Sequence, residues 1–351
     1  MKQSLIGLSL QEIENKLSDL SRMRVKQIYK WIIKGVNSFN EMSDIPAEMQ
    51  QKLAESYCVF SSTTERCETD GDIKKIVIAL KDGLKIEAVL LTDGKNRFTA
   101  CLSTQVGCPL GCVFCKTGSI KFMRNLDYTE IIEQFFHLQN SVKNINNKKD
   151  HTIDNIVIMG MGEPLLNLDN LRKALDYFND KNGLNYSRRR ITVSTSGICE
   201  SLFNIAENLP FAKLSLSLTT ADEHLRKKLM PVTNGNPLKK VKEALFLFQK
   251  NGGGRITLEI PLLGDINTSE KDARLISEFA EGLSTIINII PWNPAAGLEF
   301  EGFPLKEPEK NETANFIKLL ENLNLKVTMR LHKGRKVLGA CGQLGVISEN
   351  R

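Results

Sequence analysis

At 351 residues, 41% of them hydrophobic, the chain is long enough to bury one large core and a smaller appendage, so an enzyme-sized domain is the default expectation. Its charge of +6, from 47 Lys and Arg against 41 Asp and Glu, suits a polyanionic partner without requiring one. A secreted or membrane-spanning class is not expected: Glu12, Glu14 and Lys16 interrupt the first apolar stretch too early for a signal peptide, and no run of about eighteen apolar residues follows. The expected compartment is the cytoplasm, where the eight cysteines are reduced thiols, available as metal ligands or catalysts.

From Leu8 to Tyr57 apolar residues recur at helical spacing (Leu17, Leu20; Ile28, Trp31, Ile32; Met49, Leu53), which predicts a small helical domain over residues 1–57. Arg22, Arg24, Lys26, Lys30 and Lys34 in its second helix read either as a solvated face or as an RNA contact. Residues 58–97 change period. IKKIVIALKDGLKIEAVLL alternates and breaks at Asp82-Gly83, which predicts a β-hairpin extension of two strands.

From residue 98 onward, β-rich runs (FTACLST, NIVIMGM, RITVSTSG, AKLSLSL, RITLEIPLL, INIIPW, VTMRL) alternate with helical ones (IIEQFFHLQNSV, LRKALDYF, LFNIAEN, VKEALFLFQ, ARLISEFAEGL, FIKLLENL). The pattern predicts an α/β fold, a complete or partial β/α barrel with functional groups at the strand carboxyl ends. The stretch NINNKKDH reads as an exposed polar loop.

The strongest chemical signal is Cys108-Pro-Leu-Gly-Cys112-Val-Phe-Cys115, three cysteines in a loop after a predicted strand. Structural zinc usually takes four ligands, for which Cys101 or Cys199 is available; an iron-sulfur cluster held by three thiolates leaves one iron open to substrate. Cys58, Cys67 and Cys199 have no partner spacing and read as packing residues, and neither His137 nor His224 belongs to a zinc pair.

The cysteine motif resembles the radical S-adenosylmethionine (SAM) superfamily, which implies one [4Fe-4S] cluster whose open iron binds SAM. Further motifs narrow the resemblance: Arg24-Val-Lys-Gln27, Gln105-Val-Gly-Cys108, Arg124-Asn-Leu126, Met159-Gly-Met-Gly-Glu-Pro164, Arg189 to Gly197 (RRITVSTSG), Leu229-Met-Pro231, Pro291-Trp-Asn-Pro294 and Ala340-Cys-Gly-Gln-Leu344. In order and spacing they resemble the RlmN/Cfr family of RNA adenine methyltransferases. The resemblance implies a radical SAM partial β/α barrel over 98–351, with an amino-terminal helical accessory domain that binds RNA. It also implies cofactor contacts at Gly162, Glu163, Ser194, Ser217, Leu218, Thr219 and Asn293. At the third residue of the Ser217-Leu218-Thr219 triplet the family usually has histidine, and residues 334–339 replace an acidic run.

The implied chemistry uses two SAM molecules per turnover. Cys341 takes a methyl group by thiolate attack, giving S-methylcysteine. A second SAM, cleaved reductively, yields the radical that activates this methyl for addition to the adenine. Cys101, as resolving cysteine, then forms a disulfide with Cys341 and releases the base, which requires Cα atoms roughly 4.4 to 6.8 Å apart. Glycines 339, 342 and 345 suit a mobile loop around Cys341. Glu87 matches the family's proton acceptor.

The implied substrate is an adenine of large-subunit (23S) ribosomal RNA, and in some members tRNA. Arg188 to Arg190, Lys116, Lys121 and Arg124 are candidates for a basic rim. C2 of the ring is the expected target, with C8 the alternative; a radical enzyme on a non-RNA substrate and a zinc-bearing RNA-binding module are the readings from other classes. The expected chain is a monomer served by a flavodoxin-type electron donor.

Overall fold

The computed structural model describes residues 2–94, 97–143, 152–208, 212–330 and 334–345; the expected polar loop at 144–151 lies outside them. Helix α1 (Leu10–Lys16) starts on a reciprocal cap, with Ser9 accepting from the Glu12 amide and Glu12 accepting from that of Ser9. Helix α2 (Arg22–Ile33) starts on Ser21 and buries Val25, Ile28, Tyr29 and Ile32, the stripe that helical spacing predicts. After α3 (Ala47–Ser56), Tyr57–Cys58 pairs in parallel with Gln3–Ser4, tying the two ends of the segment together. Its apolar residues join the main core. Leu5, Ile28 and Ile32 pack in one cluster with Phe136 and Phe178.

Ten strands form one sheet whose spatial order follows the chain throughout. They are β1 (Thr63–Asp70), β2 (Ile73–Ala79), β3 (Lys85–Thr92), β4 (Phe98–Cys101), β5 (Asn155–Ile158), β6 (Ile191–Thr195), β7 (Lys213–Ser217), β8 (Ile256–Leu262), β9 (Thr285–Pro291) and β10 (Val327–Met329). Strands β1 to β4 pair antiparallel. From β4 to β10 every pairing is parallel. Parallel neighbours need long crossovers, and these carry α4 (Tyr128–Lys143), α5 (Leu168–Asn179), α6 (Cys199–Glu207), α7 (Glu223–Leu229), α8 (Leu238–Lys250), α9 (Glu270–Ala280) and α10 (Lys310–Asn322). Among the described residues β1 and β10 do not pair, so the barrel is partial.

The extension before the barrel differs from expectation. It has three strands, not two, and continues the barrel sheet edge to edge. Strand β1 escaped notice because TTERCETD has no apolar face; it is an outer strand, exposed or half-buried along its length. Cys67 lies in it and is exposed, which corrects its reading as a packing residue, whereas Cys199 is buried as expected. Helix α7 also went unpredicted, since EHLRKKL shows little apolar periodicity.

Candidate active site

After β4 the chain runs through Gln105–Val106, which pairs antiparallel with Arg124–Asn125 and closes a loop containing Cys108, Cys112 and Cys115. Gly107, at φ +77°, turns the chain into it; a Cβ there would lie 2.3 Å from the Lys121 carbonyl oxygen, so no larger residue fits. The loop is fixed from within by the Cys115 amide on the Cys112 carbonyl (3.1 Å) and the Gly118 amide on the Cys115 carbonyl (2.9 Å). Neighbours hold it too: the Val113 amide donates to Leu229 O at 3.1 Å and Trp292 Nε1 to Phe114 O at 2.9 Å.

Burial pushes all three thiols up, Cys108 to about 12 and Cys112 well above its ordinary value, with the neighbouring thiolates adding to the effect. The protein alone therefore keeps them protonated, and a bound cation is what converts such thiols to thiolates. Among the described residues no three His, Cys, Asp or Glu side chains converge as a single ion requires.

The three cysteines open onto a cavity at the carboxyl ends of the parallel strands, of about 1020 Å³ including its mouth. Strand after strand contributes to its wall: Gly162 and Glu163 after β5, Ser194 from β6, Ser217 from β7, Glu259 from β8, Asn293 after β9 and Arg330 after β10. Ser194 Oγ and Ser217 Oγ, on adjacent strands, stand 3.3 Å apart. Buried Glu163 accepts from Thr195 Oγ1 (2.7 Å) and from the Ser196 and Leu165 amides (2.8 and 3.1 Å). Burial still raises its pKa. The Ser196 side chain also bonds to it, so a ligand ammonium would share a lone-pair site with a protein donor.

Cys341 lines this cavity and also a second one, where Cys101 joins it. The loop that carries Cys341 is held by other segments. Lys116 N donates to Gly342 O (2.7 Å), Thr117 Oγ1 to Leu344 O (2.7 Å), Asn293 Nδ2 to Cys341 O (3.2 Å) and Gln343 Nε2 to Pro294 O (2.8 Å). Between the sulfurs' surroundings sits Arg330, whose Nη1 is 3.5 Å from Cys341 Sγ and 3.8 Å from Met159 Sδ. The Cys341 thiolate and Glu259 raise its pKa, while Cys101, deeply buried, is pushed up to about 12. Sequence reasoning missed Arg330; its place directly after a strand of the barrel was the available signal.

Three expectations meet a different geometry. Glu87 lines neither of these cavities but a third, where Lys75 Nζ lies 3.1 Å from Oε1 and the Gly345 amide donates to Oε2 at 2.6 Å. The Ser217-Leu218-Thr219 triplet is split: Ser217 faces the first cavity, whereas Leu218 and Thr219 are absent from its wall. Thr219 has a left-handed backbone (φ +63°), rare for a β-branched residue, which turns the chain away. Arg124 is not free to form a basic rim, because Glu130 takes it in two bonds of 2.7 and 2.8 Å and Asp82 in a third.

Two family descriptions match the chain. Residues 102–276 match the Radical SAM superfamily, and residues 3–59 match the Ribosomal RNA large subunit methyltransferase N-terminal domain. A Treponema pallidum (strain Nichols) protein named "Probable dual-specificity RNA methyltransferase RlmN" is 43% identical over 345 residues, 97% of each chain. The chain belongs to the RlmN family. A second RlmN relative, "Dual-specificity RNA methyltransferase RlmN" of Pelobacter propionicus, is 35% identical over 98% of this chain and 96% of its own. A solved radical SAM methyltransferase from Sphaerobacter thermophilus superposes with a TM-score of 0.89 at 30% identity, covering 97% of this chain and 99% of that one. This RlmN-family chain thus has the radical SAM α/β fold, and the amino-terminal match spans the segment closed by the Gln3–Ser4 and Tyr57–Cys58 pairing. No described helix is long and apolar enough to cross a membrane.

Proposed function

We propose that the chain is a radical SAM methyltransferase that modifies C2 of an adenine in RNA, in large-subunit ribosomal RNA and in tRNA. The observation that carries this reading is that Cys108, Cys112, Cys115 and Cys341 line one cavity, with Cys101 in the adjoining one. The relatives' names, dual-specificity RNA methyltransferases, support an RNA substrate and a dual specificity. The helical segment 1–57 is the RNA-binding accessory part, the active chain is a cytoplasmic monomer, and a flavodoxin-type protein supplies electrons.

Cys108, Cys112 and Cys115 would hold a [4Fe-4S] cluster, and Gly162, Glu163, Ser194, Ser217 and Asn293 would hold SAM. When bound, the cluster supplies the one-electron chemistry that an aromatic carbon requires, since C2 has no adequate lone pair for simple displacement. Cys341 accepts a methyl group as its thiolate, with the Arg330 guanidinium 3.5 Å away offsetting that charge. Cys101 loses its proton and attacks the Cys341 sulfur; the sulfur–carbon bond breaks, the methylene carbon on the base leaves with the electron pair and takes up a proton to become the methyl group, and a Cys101–Cys341 disulfide forms, which a thiol reductant reopens. Glu87 accepts the ring proton once the Gly345 amide withdraws from it.

The test is an anaerobic assay of reconstituted protein with protein-free ribosomal RNA or tRNA, SAM and a reductant, followed by mass analysis of the nucleosides. C2-methyladenosine that disappears in C341A is the expected result. C8-methyladenosine would reassign the target carbon, and SAM cleavage without RNA methylation would sink the substrate assignment.

A further inference from the structure

Two long cations are wholly buried in the described residues, and they are treated differently. Lys75 has carboxylates on both sides, Glu87 at 3.1 Å and Glu68 at 3.2 Å. Arg226, on α7, forms no ion pair with a described carboxylate. Among the described residues its guanidinium donates only to neutral oxygens: Nε to Leu218 O (2.9 Å), Nη1 to Thr233 Oγ1 (2.7 Å), and Nη2 to Ser196 O (2.8 Å) and Ser217 O (3.1 Å). Glu223 lies on the same helix, but its Oε2 accepts the Leu238 amide and its other oxygen faces Lys227 at 3.9 Å. An uncompensated charge in a protein interior is costly.

The loop that would carry negative charge once the site is loaded packs against the helix of Arg226. The end of α7 touches the cysteine loop through the Val113 amide on Leu229 O, and Phe114, Leu229 and Met230 pack in one cluster. Burial lowers the pKa of Arg226 to about 10, and among neighbouring groups the Cys112 thiolate opposes that most. The oxygens that Arg226 grips belong to Ser196, Ser217 and Leu218, at the strand ends that carry Ser194 and Ser217 to the cavity.

We infer that Arg226 is a positioning residue whose buried guanidinium is the counter-charge to the thiolates of the Cys108–Cys115 loop and holds the reduction potential of their cluster up. The inference rests on the proposed radical SAM reading. One electron from an external low-potential donor adds one negative charge at the loop, the donor being oxidised by one electron. A fixed cation beside it stabilises the reduced form more than the oxidised one, because Coulomb energy scales with the charge it faces.

The experiment is an anaerobic redox titration of the reconstituted full-length chain with dithionite, read by electron paramagnetic resonance, with iron and sulfide content measured alongside. R226Q removes the cation; T233D leaves Arg226 in place and puts a carboxylate against Nη1; T233V removes one hydrogen bond only. At a potential that half-reduces the parent, the reduced-to-oxidised ratio is expected to fall roughly tenfold in R226Q and T233D and to hold in T233V. An iron-replete R226Q with the parent's ratio overturns the inference. Where R226Q does not fold or takes up no iron, T233D decides, and an unchanged ratio there overturns it equally. A parent chain that binds no cluster sinks the proposed function and this inference with it, whereas a normal parent with unchanged variants sinks the inference alone.

Discussion

Two loops bring cysteines to the same cavity, and they are anchored to different degrees. The Cys108–Cys115 loop is wound on itself, with amide-to-carbonyl bonds from Cys115 to Cys112 and from Gly118 to Cys115, and it is pinned between Leu229 and Trp292. The Cys341 loop also closes on itself, with the Gln343 amide on the Ala340 carbonyl (3.0 Å), but it rests on more of the chain around it: Lys116, Thr117, Asn293, Pro294 and Glu87 all bond to it. The difference matches the tasks proposed for them. Cluster ligands need fixed mutual positions, whereas a methyl carrier has to meet a cofactor, a base and Cys101 in turn.

The largest expected effects separate the loops. C112A should lose iron and with it all methylation, while C341A should keep its iron and lose RNA methylation by at least about 10³-fold; iron content and nucleoside mass analysis read both. An iron-free C341A would break the comparison. C101A should stop after one event as a covalent protein–RNA adduct, visible as a shifted band on a denaturing gel, because the sulfur–base link has no thiol to displace it. R330Q should slow S-methylation of Cys341 about 10- to 100-fold in the absence of RNA, followed by intact-protein mass, since the thiolate loses its nearby cation.

The next variant bears on docking as well as chemistry, because it also removes the proposed proton acceptor and should lower RNA methylation in the nucleoside assay. E87Q weakens the acceptor for the Gly345 amide and leaves buried Lys75 with Glu68 as its one carboxylate, so hydrogen exchange at Gly345 should accelerate and stability should fall by on the order of 2 to 3 kcal/mol. The smallest is a pH effect away from the site. His137, stacked on Phe60 and placed 3.0 Å from Ser62 Oγ, is held down near 4 by burial. Between pH 6.5 and 4 the unfolded chain binds a proton that the folded chain does not. The stabilisation is therefore complete above pH 6.5 and is lost as pH falls towards 4, amounting to about 2 kcal/mol after allowance for partial exposure. H137Q should flatten that part of a denaturant-midpoint profile.

The parallel part of the fold was legible in the sequence because its strands are β-rich runs with most positions buried, as in ITLEIPL of β8, and amphipathic helices such as α8 and α9 alternate with them. Strand β1 and helix α7 were not legible, since one has no buried face and the other buries chiefly Arg226 and Leu229. At the site, the spacing of Cys108, Cys112 and Cys115 is local and could be read directly. The nearness of Arg330 to Cys341, the split between Ser217 and Thr219 and the engagement of Arg124 by Glu130 could not.

The sequence by itself determined which thiols share a turn and which segments alternate as strand and helix, because both depend on contacts between near neighbours in the chain. Only the tertiary structure decided which side chains from successive strand ends share a cavity, that Glu87 faces Gly345 and not Cys101, and that Arg226 forms no ion pair with a described carboxylate. Those outcomes depend on where sheet curvature and loop docking place groups far apart in the chain, and burial there sets the cost of each unpaired charge.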